Sequence, residues 1–415
     1  VSAAPAKPIL VVGAGIAGVT TALEAAEAGH PVILVEREAS VGGRVLKNHK
    51  YFPKLCPPSC GMEINTRRLE KNPRVRVLVQ TEVASAQRSG SGWSVTLRRG
   101  AEHVTEACTA CGECAKVCPA TAPDAFNLGM GKVRAIGMPH VDAWPRRYVM
   151  ARQACPAGCR ACADACKVPG AIDLSAKPRE ETVEVSSVVV ATGWTPYPME
   201  KLTDLGGGFR DVVSNVQMER LAAPAGPTGG KIARPSDGAA PKRVAFVQCA
   251  GSRDVKHLPY CSAICCMVSA KQALYVKEQL PDAEVTIYYI DRRTPGRNES
   301  MLAKAEAAGV KFVKGKVGKV SEKSPGVLSL RLEDVEAGRV VDAEADLVVL
   351  ATGMVARGNS ELALPLQRDD DGFALDDRAS RVFAAGVARR PEDVAASVRD
   401  ATGAAAKALC AARSV

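Results

Sequence analysis

Fifteen cysteines in a chain of 415 residues are the first chemistry to account for, because eight of them fall into two consecutive runs of four. Cys108, Cys111, Cys114 and Cys118, with Pro119 directly after, follow the spacing C-x2-C-x2-C-x3-C-P. Cys155, Cys159, Cys162 and Cys166 repeat it with one extra residue in the first gap and the proline delayed to Pro169. Tight runs of four soft thiolates suit 4Fe-4S clusters. Disulfides belong to oxidising compartments and to small domains that need stapling, whereas the opening VSAAPAKPILVVGAG shows no secretory pattern and the length supplies an ample core. Zinc takes paired C-x2-C ligands at a larger separation.

The spacing resembles that of two-cluster bacterial ferredoxins, in which the last cysteine of each run ligates the cluster of the other run. The resemblance implies one cluster on Cys108, Cys111, Cys114 and Cys166, and a second on Cys155, Cys159, Cys162 and Cys118.

The elements that must carry this insert begin at the N-terminus. Ile9–Val12 reads as a buried strand, Gly13-Ala14-Gly15-Ile16-Ala17-Gly18 as a phosphate-cradling turn, Val19–Ala28 as a helix, and Val32–Val35 as a second strand ending in Glu36 and Arg37. In this fingerprint the first glycine allows the turn, the second lets backbone N–H groups approach a pyrophosphate, the third permits helix–strand packing, and the acid receives the adenosine ribose. Gly42-Gly43-Arg44 follows, an element that resembles the extended FAD motif of two-dinucleotide-domain flavoproteins. Two apolar strands end alike, in Ala191-Thr192-Gly193 and in Ala351-Thr352-Gly353, and Val382 to Gly386 resembles the closing FAD motif, with Val387 where that family has Asp. The resemblance implies FAD contacts at Ala191, Thr192, Gly193, Thr352, Gly353, Gly386 and Val387, and a long helix from Val394 whose N-terminal end faces the flavin ring.

Between the two Ala-Thr-Gly elements, Arg243–Gln248, Val268–Glu278 and Val285–Ile290 read as strand, helix and strand, but no glycine-rich turn follows the first strand. Cys249 stands there, followed by Cys261, Cys265 and Cys266. Without the N–H-rich concavity a nicotinamide nucleotide has no cradle. The four thiols suit a third 4Fe-4S cluster, a redox-active thiol pair being the competing reading. Cys56 and Cys60 lie in Leu55-Cys56-Pro57-Pro58-Ser59-Cys60, either supporting redox chemistry or sitting in a proline-stiffened loop; Cys410 is expected to be inert. The expected fold class is α/β: two Rossmann-like domains of thioredoxin-reductase-like type with an inserted two-cluster ferredoxin-like domain. The expected division is an FAD domain in parts 7–102, 176–240 and 351–415, the insert at 103–175, and a degenerate nucleotide-binding-like domain at 241–350.

No apolar run reaches the ~20 residues of a membrane span, so direct membrane insertion is not expected. The net charge of +10 comes from scattered basic residues without interleaved aromatics, which argues against nucleic acid and suits an acidic electron-transfer partner.

Taken together, the fingerprint, the insert and the run Gln248-Cys249-Ala250-Gly251-Ser252-Arg253-Asp254 with Tyr260-Cys261-Ser262 and Cys265-Cys266 resemble the A subunit of heterodisulfide reductase. The length and the run Tyr51 to Gly61 are more similar to the A subunit of the quinone-interacting membrane-bound oxidoreductase complexes of sulfate reducers, and Val190 to Tyr197 and Arg293 to Arg297 extend the similarity. The resemblance implies a cytoplasmic FAD and iron–sulfur subunit, peripheral to the inner membrane through its partners. Those partners would be a membrane haem/iron–sulfur subunit together with a second flavo-iron–sulfur subunit. The complex would link the menaquinone pool to adenylylsulfate (APS) reductase, with flavin-based bifurcation or confurcation open. The alternatives are a related flavoprotein of another cytoplasmic complex, a stand-alone NAD(P)H-dependent flavin oxidoreductase, and a scaffold that uses its clusters structurally.

Overall fold

The computed structural model describes residues 6–356 and 362–413. Its first sheet has five parallel strands in the order Val382–Ala384, Ser187–Val190, Ile9–Val12, Val32–Val35 and Val75–Leu78. The three inner strands are buried at every position and apolar except for Ser187, as a parallel sheet covered on both faces requires. The period of two decides which cover each residue meets. Ile9 and Val11 pack under the helices Ile16–Glu27 and Val394–Arg413, while Leu10 and Val12 meet Val83, Trp93, Val95 and Leu97 of an antiparallel meander, Thr81–Ser89, Gly92–Arg99 and Arg179–Val185.

A second sheet of seven strands runs Val212–Ser214, Leu347–Thr352, Arg243–Ala250, Glu284–Tyr289, Lys311–Ser324, Val327–Asp334 and Arg339–Ala345. Its first five strands are parallel and its last two turn back as antiparallel hairpins. One boundary needs correction. The segment 176–240 does not all join the FAD domain, because Val212–Ser214 pairs with Leu347–Thr352 and the helix Asn215–Ala222 packs on the second sheet. That helix starts at a capping box, Ser214 and Gln217 satisfying each other's backbone N–H groups. The expected C-terminal part, 351–415, runs through 357–361 and 414–415, which lie outside the described residues. The chain crosses between the sheets twice, directly after the two Ala-Thr-Gly elements, and the crossings pair as antiparallel strands, Trp194–Pro196 with Met354–Ala356.

The insert is rooted by one carboxylate. Glu102 takes Arg99 at 2.6 Å, Arg147 at 2.7 Å and Arg179 at 2.9 Å, so three guanidinium groups from the meander and the insert converge on one half-buried anion. An antiparallel bridge, Val104 to Ile172, closes its neck. Its far side docks on the GG-R element, where Ser40 Oγ and the Val41 N–H donate to Trp144 O and the Trp144 N–H donates to Ser40 Oγ.

The fingerprint turn is set by backbone contact. Gly13 has φ of +100°, and a Cβ there would stand 2.5 Å from Ala191 O. A Cβ on Gly18 would stand 1.8 Å from Gly13 O. Gly18→Val is therefore expected to push the helix off the sheet and lower unfolding stability by about 3 kcal/mol, read from the urea midpoint. An unchanged midpoint would show that the contact is not required.

Candidate functional site: a flavin cavity flanked by three cysteine sets

A cavity of about 1100 Å³ opens above the C-terminal ends of the first sheet. Gly13, Gly15, Ile16, Ala17, Glu36, Arg37, Gly43, Arg44, Ala191, Thr192, Gly193 and Val387 all line it. The helix Ile16–Glu27 presents its N-terminus with no side-chain cap, leaving backbone N–H groups for an anion. At Gly15 a Cβ would meet nothing within 4 Å, so bulk added there enters open space instead of striking backbone. The Glu36 carboxylate is held by the N–H groups of Ala14 at 2.8 Å and Glu38 at 2.9 Å, which fixes it at the rim of the cavity. Arg44 donates to Trp194 O at 2.6 Å and lies over the Trp194 ring, tying the GG-R element to the first crossing.

Four expected cofactor residues do not line the cavity. Gly18 and Gly386 serve close packing: a Cβ on Gly386 would stand 2.7 Å from Ala17 Cβ, and its N–H donates to Asp400 at 2.9 Å. Thr352 and Gly353 belong elsewhere. The Thr352 hydroxyl donates to Asn215, and Gly353 is walled by Ser252, Leu258 and Ser262, so this element supports the Cys249–Cys266 loop. The similarity of the two Ala-Thr-Gly strands conceals that they end on different sheets.

In the insert the cysteines divide by cavity. Cys108, Cys111, Cys114 and Cys166 line one small cavity, and Cys118, Cys155, Cys159 and Cys162 line another. This is the crossed grouping that the resemblance implies. No two cysteines among the described residues are joined by a disulfide. Among the described residues no three His, Cys, Asp or Glu side chains converge closely enough to hold one metal ion. A four-iron cluster gives each thiolate its own iron, so the donors surround a cavity instead of a point. Cys114 and Cys162 sit on two short helices in contact, Glu113–Lys116 and Ala161–Asp164. Burial pushes the Cys114 thiol up to about 11, a cost that a bound iron would remove by holding the sulfur as thiolate.

Cys249, Cys261, Cys265 and Cys266 also form one group: Cys249, Cys261 and Cys266 lie close enough to Cys265 to raise its thiol pKa, and Cys261 does the same to Cys249 and Cys266. Cys265 is buried, and burial pushes its thiol far up. The Arg253 side chain donates to Cys249 and pairs with Asp291 at 2.8 Å. Cys249, Arg253 and Ala263 all take left-handed backbone, unusual for residues with a Cβ. One local device occurs at both sites: left-handed Ala110 donates its N–H to Cys108 Sγ, and left-handed Ala263 donates to Cys261 Sγ, each at 3.4 Å. N–H···S bonds of this kind tune a thiolate-held cluster. Cys56 is half-buried in a turn and Cys60 is exposed at the start of the helix Ser59–Lys71; Cys410 is exposed. None of these three joins a cysteine-lined cavity described above.

Single residues separate the cysteine sets from the large cavity. Tyr148 lines both it and the Cys108 cavity, and Ile136 lines both it and the Cys155 cavity. On the other side, the helix Cys265–Gln279 presents Val268 and Lys271 to the cavity, with Ile264 just before its first turn. Lys271, 2% exposed, pairs with Glu219 at 2.9 Å and donates to Lys50 O at 2.6 Å. Gln272, Tyr275 and the His49 N–H also bond Glu219. The helices of Lys271 and Glu219 both pack on the second sheet, so the pair ties the 49–52 loop of the first domain to the second through Lys50 O and the His49 N–H; breaking such a buried pair costs about 3–5 kcal/mol. Lys271, Glu219 and His140 carry no motif in the sequence; a lone Lys between Ala270 and Ala273 gives no signal until the helix is seen to be buried.

Residues 8–56 match the family model for FAD dependent oxidoreductases. The fold is that of the thioredoxin-reductase-like flavoproteins: thioredoxin reductase from T. acidophilum shares it at a TM-score of 0.54 and 14% identity, covering 98% of this chain and 99% of its own. More particularly, the chain is a homologue of the A subunit of heterodisulfide reductase. It is 38% identical over 421 residues to the iron-sulfur A subunit of the CoB–CoM heterodisulfide reductase of Methanocaldococcus jannaschii. It is 35% identical over 416 residues to the A subunit of the H(2):CoB-CoM heterodisulfide,ferredoxin reductase of Methanothermobacter thermautotrophicus. Each match covers 96% of this chain and 63% of the relative, so the chain spans under two thirds of their length.

The residues present fit FAD: a bare helix N-terminus, an acid at the second strand, and a buried Thr192 hydroxyl with no hydrogen-bond partner in the cavity wall. Gly15→Val is expected to leave the unfolding midpoint near wild type while abolishing flavin retention, checked by absorbance of the purified protein. His140 supplies a pH signature. Stacked on Phe126 at 4.4 Å and half-buried with its Nδ1 enclosed, and with Lys47 and Arg220 nearby, its imidazole is pushed down to about 4. The unfolded chain takes this proton first, near pH 6.5, so the contribution is whole above that pH and is lost as pH falls toward 4, by up to about 3 kcal/mol. The stability gap between wild type and His140→Gln should shift by that amount in the variant's favour between pH 7 and pH 4; a constant gap would refute the assignment.

Proposed function

We propose that this chain is the flavo-iron–sulfur part of an electron-transfer oxidoreductase subunit, holding FAD in the large cavity and three 4Fe-4S clusters. The ligand sets are Cys108, Cys111, Cys114 and Cys166; Cys155, Cys159, Cys162 and Cys118; and Cys249, Cys261, Cys265 and Cys266. When bound, flavin exchanges electrons in pairs and each cluster exchanges one, so the set converts between paired and single-electron traffic. The protein positions these groups. The Gly13–Gly18 turn and its helix receive the pyrophosphate, the Lys271–Glu219 pair closes the cavity between the domains, and Tyr148, Ile136 and Ile264 exclude water between neighbouring sites.

The observation that carries this reading is that two cysteine-lined cavities each share one wall residue with the flavin cavity, while the third set opens a helix that lines it. The finer reading is a peripheral, cytoplasmic subunit that works with a membrane haem/iron–sulfur subunit, beside a second flavo-iron–sulfur subunit, to link the menaquinone pool to APS reductase. Its support is the likeness of Tyr51 to Gly61 to that kind of subunit. Among the described residues no helix is long and apolar enough to cross a membrane.

The crossed ligand sets make a spectroscopic prediction. Cys166→Ala and Cys111→Ala should leave the same residual EPR spectrum, and Cys118→Ala should match Cys159→Ala, each with about four of twelve irons lost on the four-iron stoichiometry. Pairing of Cys166 with Cys159 instead would overturn the crossing, and about eight irons in the intact chain would remove the third cluster.

A further inference from the structure

The wall of the large cavity contains three buried polar atoms without a hydrogen-bond partner: Thr192 Oγ1, His140 Nδ1 and Glu392 Oε1. Glu392 is the one carboxyl among them and is 7% exposed, two residues before the helix Val394–Arg413. Its other oxygen accepts from Arg390 Nε at 3.3 Å, and the Ser397 hydroxyl reaches the carboxyl group from the first turn of the helix. The Asp400 carboxylate stands behind as a like charge, itself holding the Gly386 N–H, Arg389 at 2.9 Å and Arg390 at 3.9 Å. Burial first, and Asp400 second, push the Glu392 carboxyl above the usual carboxylate range. Arg390 is 62% exposed, so this carboxyl is buried on the cavity side and connected to solvent through its ion-pair partner.

The sheet order decides which half of a bound dinucleotide passes Glu392. The pyrophosphate belongs at the turn after Ile9–Val12, and the adenosine half at Glu36 and Thr81 to Val83, beyond Val32–Val35. The riboflavin half then extends the opposite way, over Ser187–Val190 and Val382–Ala384, where Thr192, Val387, Glu392 and Ser397 form the wall.

We propose that Glu392 is the proton-exchanging residue of the flavin end of this cavity. The inference rests on the FAD reading above and adds a proton path to it. Full reduction of a flavin consumes two electrons and two protons. The electrons arrive singly from iron–sulfur donors; one proton leaves the Glu392 carboxyl, which stays a carboxylate paired with Arg390 while the flavin is reduced. The second proton comes from water. Reoxidation returns the first proton to Glu392, and at lower pH the carboxylate regains one from solvent on the Arg390 side. A carboxyl held above its ordinary range is what such exchange near neutral pH demands.

The test is potentiometry of the purified, FAD-loaded chain from pH 5.5 to 8.5, for wild type and Glu392→Gln. In wild type the flavin midpoint should fall by about 30 mV less per pH unit over the window where Glu392, in place of solvent, supplies one of the two protons. That shallower window should be missing from Glu392→Gln at equal FAD content. Identical profiles would overturn the proposal. Wild type labelled with 13C-glutamate gives an independent readout: infrared difference spectra within the window should lose a protonated glutamate carboxyl stretch on reduction, and no glutamate change would overturn the proposal even if the variant does not fold. A chain that retains no FAD fails at the earlier step and overturns the flavin reading together with this one.

Discussion

Everything in this molecule depends on a contact in which side chains are absent. At the end of Ile9–Val12, the backbones of Gly13, Gly18 and Ala191 approach so closely that a Cβ on either glycine would overlap a carbonyl oxygen. That approach brings the helix Ile16–Glu27 down onto the sheet and aims its uncapped N-terminus into the cavity. Gly43 continues the same logic, since a Cβ there would stand 2.9 Å from Gly15 Cα. A cavity built from bare backbone in this way offers N–H groups to an anion and leaves room for a long ligand.

The second constraint is how the cysteine-lined cavities are kept close to that cavity while remaining separate from it. The insert leaves the first domain between two meander strands and returns to the same place, gripped at its neck by Glu102 and pinned at its far side by Ser40 and Trp144. Its cysteine cavities are thereby pressed against the flavin cavity with one side chain between. The second domain meets the cavity from the other side. There the loop after Arg243–Ala250 holds three left-handed residues with a Cβ, Cys249, Arg253 and Ala263, and the helix that follows begins with Cys265 and Cys266.

The polar groups of the cavity sort by environment. Lys271 and Glu219 satisfy each other in a network that is fully buried and joins the two domains. His140 is kept neutral by burial and nearby cations. Glu392 is pushed toward its protonated form by burial and by Asp400. Acid, base and ion pair thus occupy separate stretches of one wall, each tuned by what packs behind it.

Local pattern is enough to read the strands, the fingerprint, the two ferredoxin-like runs and the cysteine quartet after Gln248, because each is a spacing rule acting within a few residues. Continuous apolar runs make Ile9–Val12 and Val32–Val35 legible, and glycine spacing does the same for the turn between them. The helix after the quartet reads from Val268 but begins at Cys265, since cysteines carry no strong helix signal. Two matters are beyond local pattern. Thr352-Gly353 looks like Thr192-Gly193, yet strand pairing sends one to the cysteine loop and the other to the cavity. The strand Val212–Ser214 joins the second sheet through Leu347–Thr352, a partner far along the chain. Which residues repeat at which interval was determined by the sequence; which sheet a strand joins, and whether Lys271 or Glu392 lies buried beside a cavity, was decided only by tertiary packing, because burial and charge environment are properties of neighbours distant in the chain.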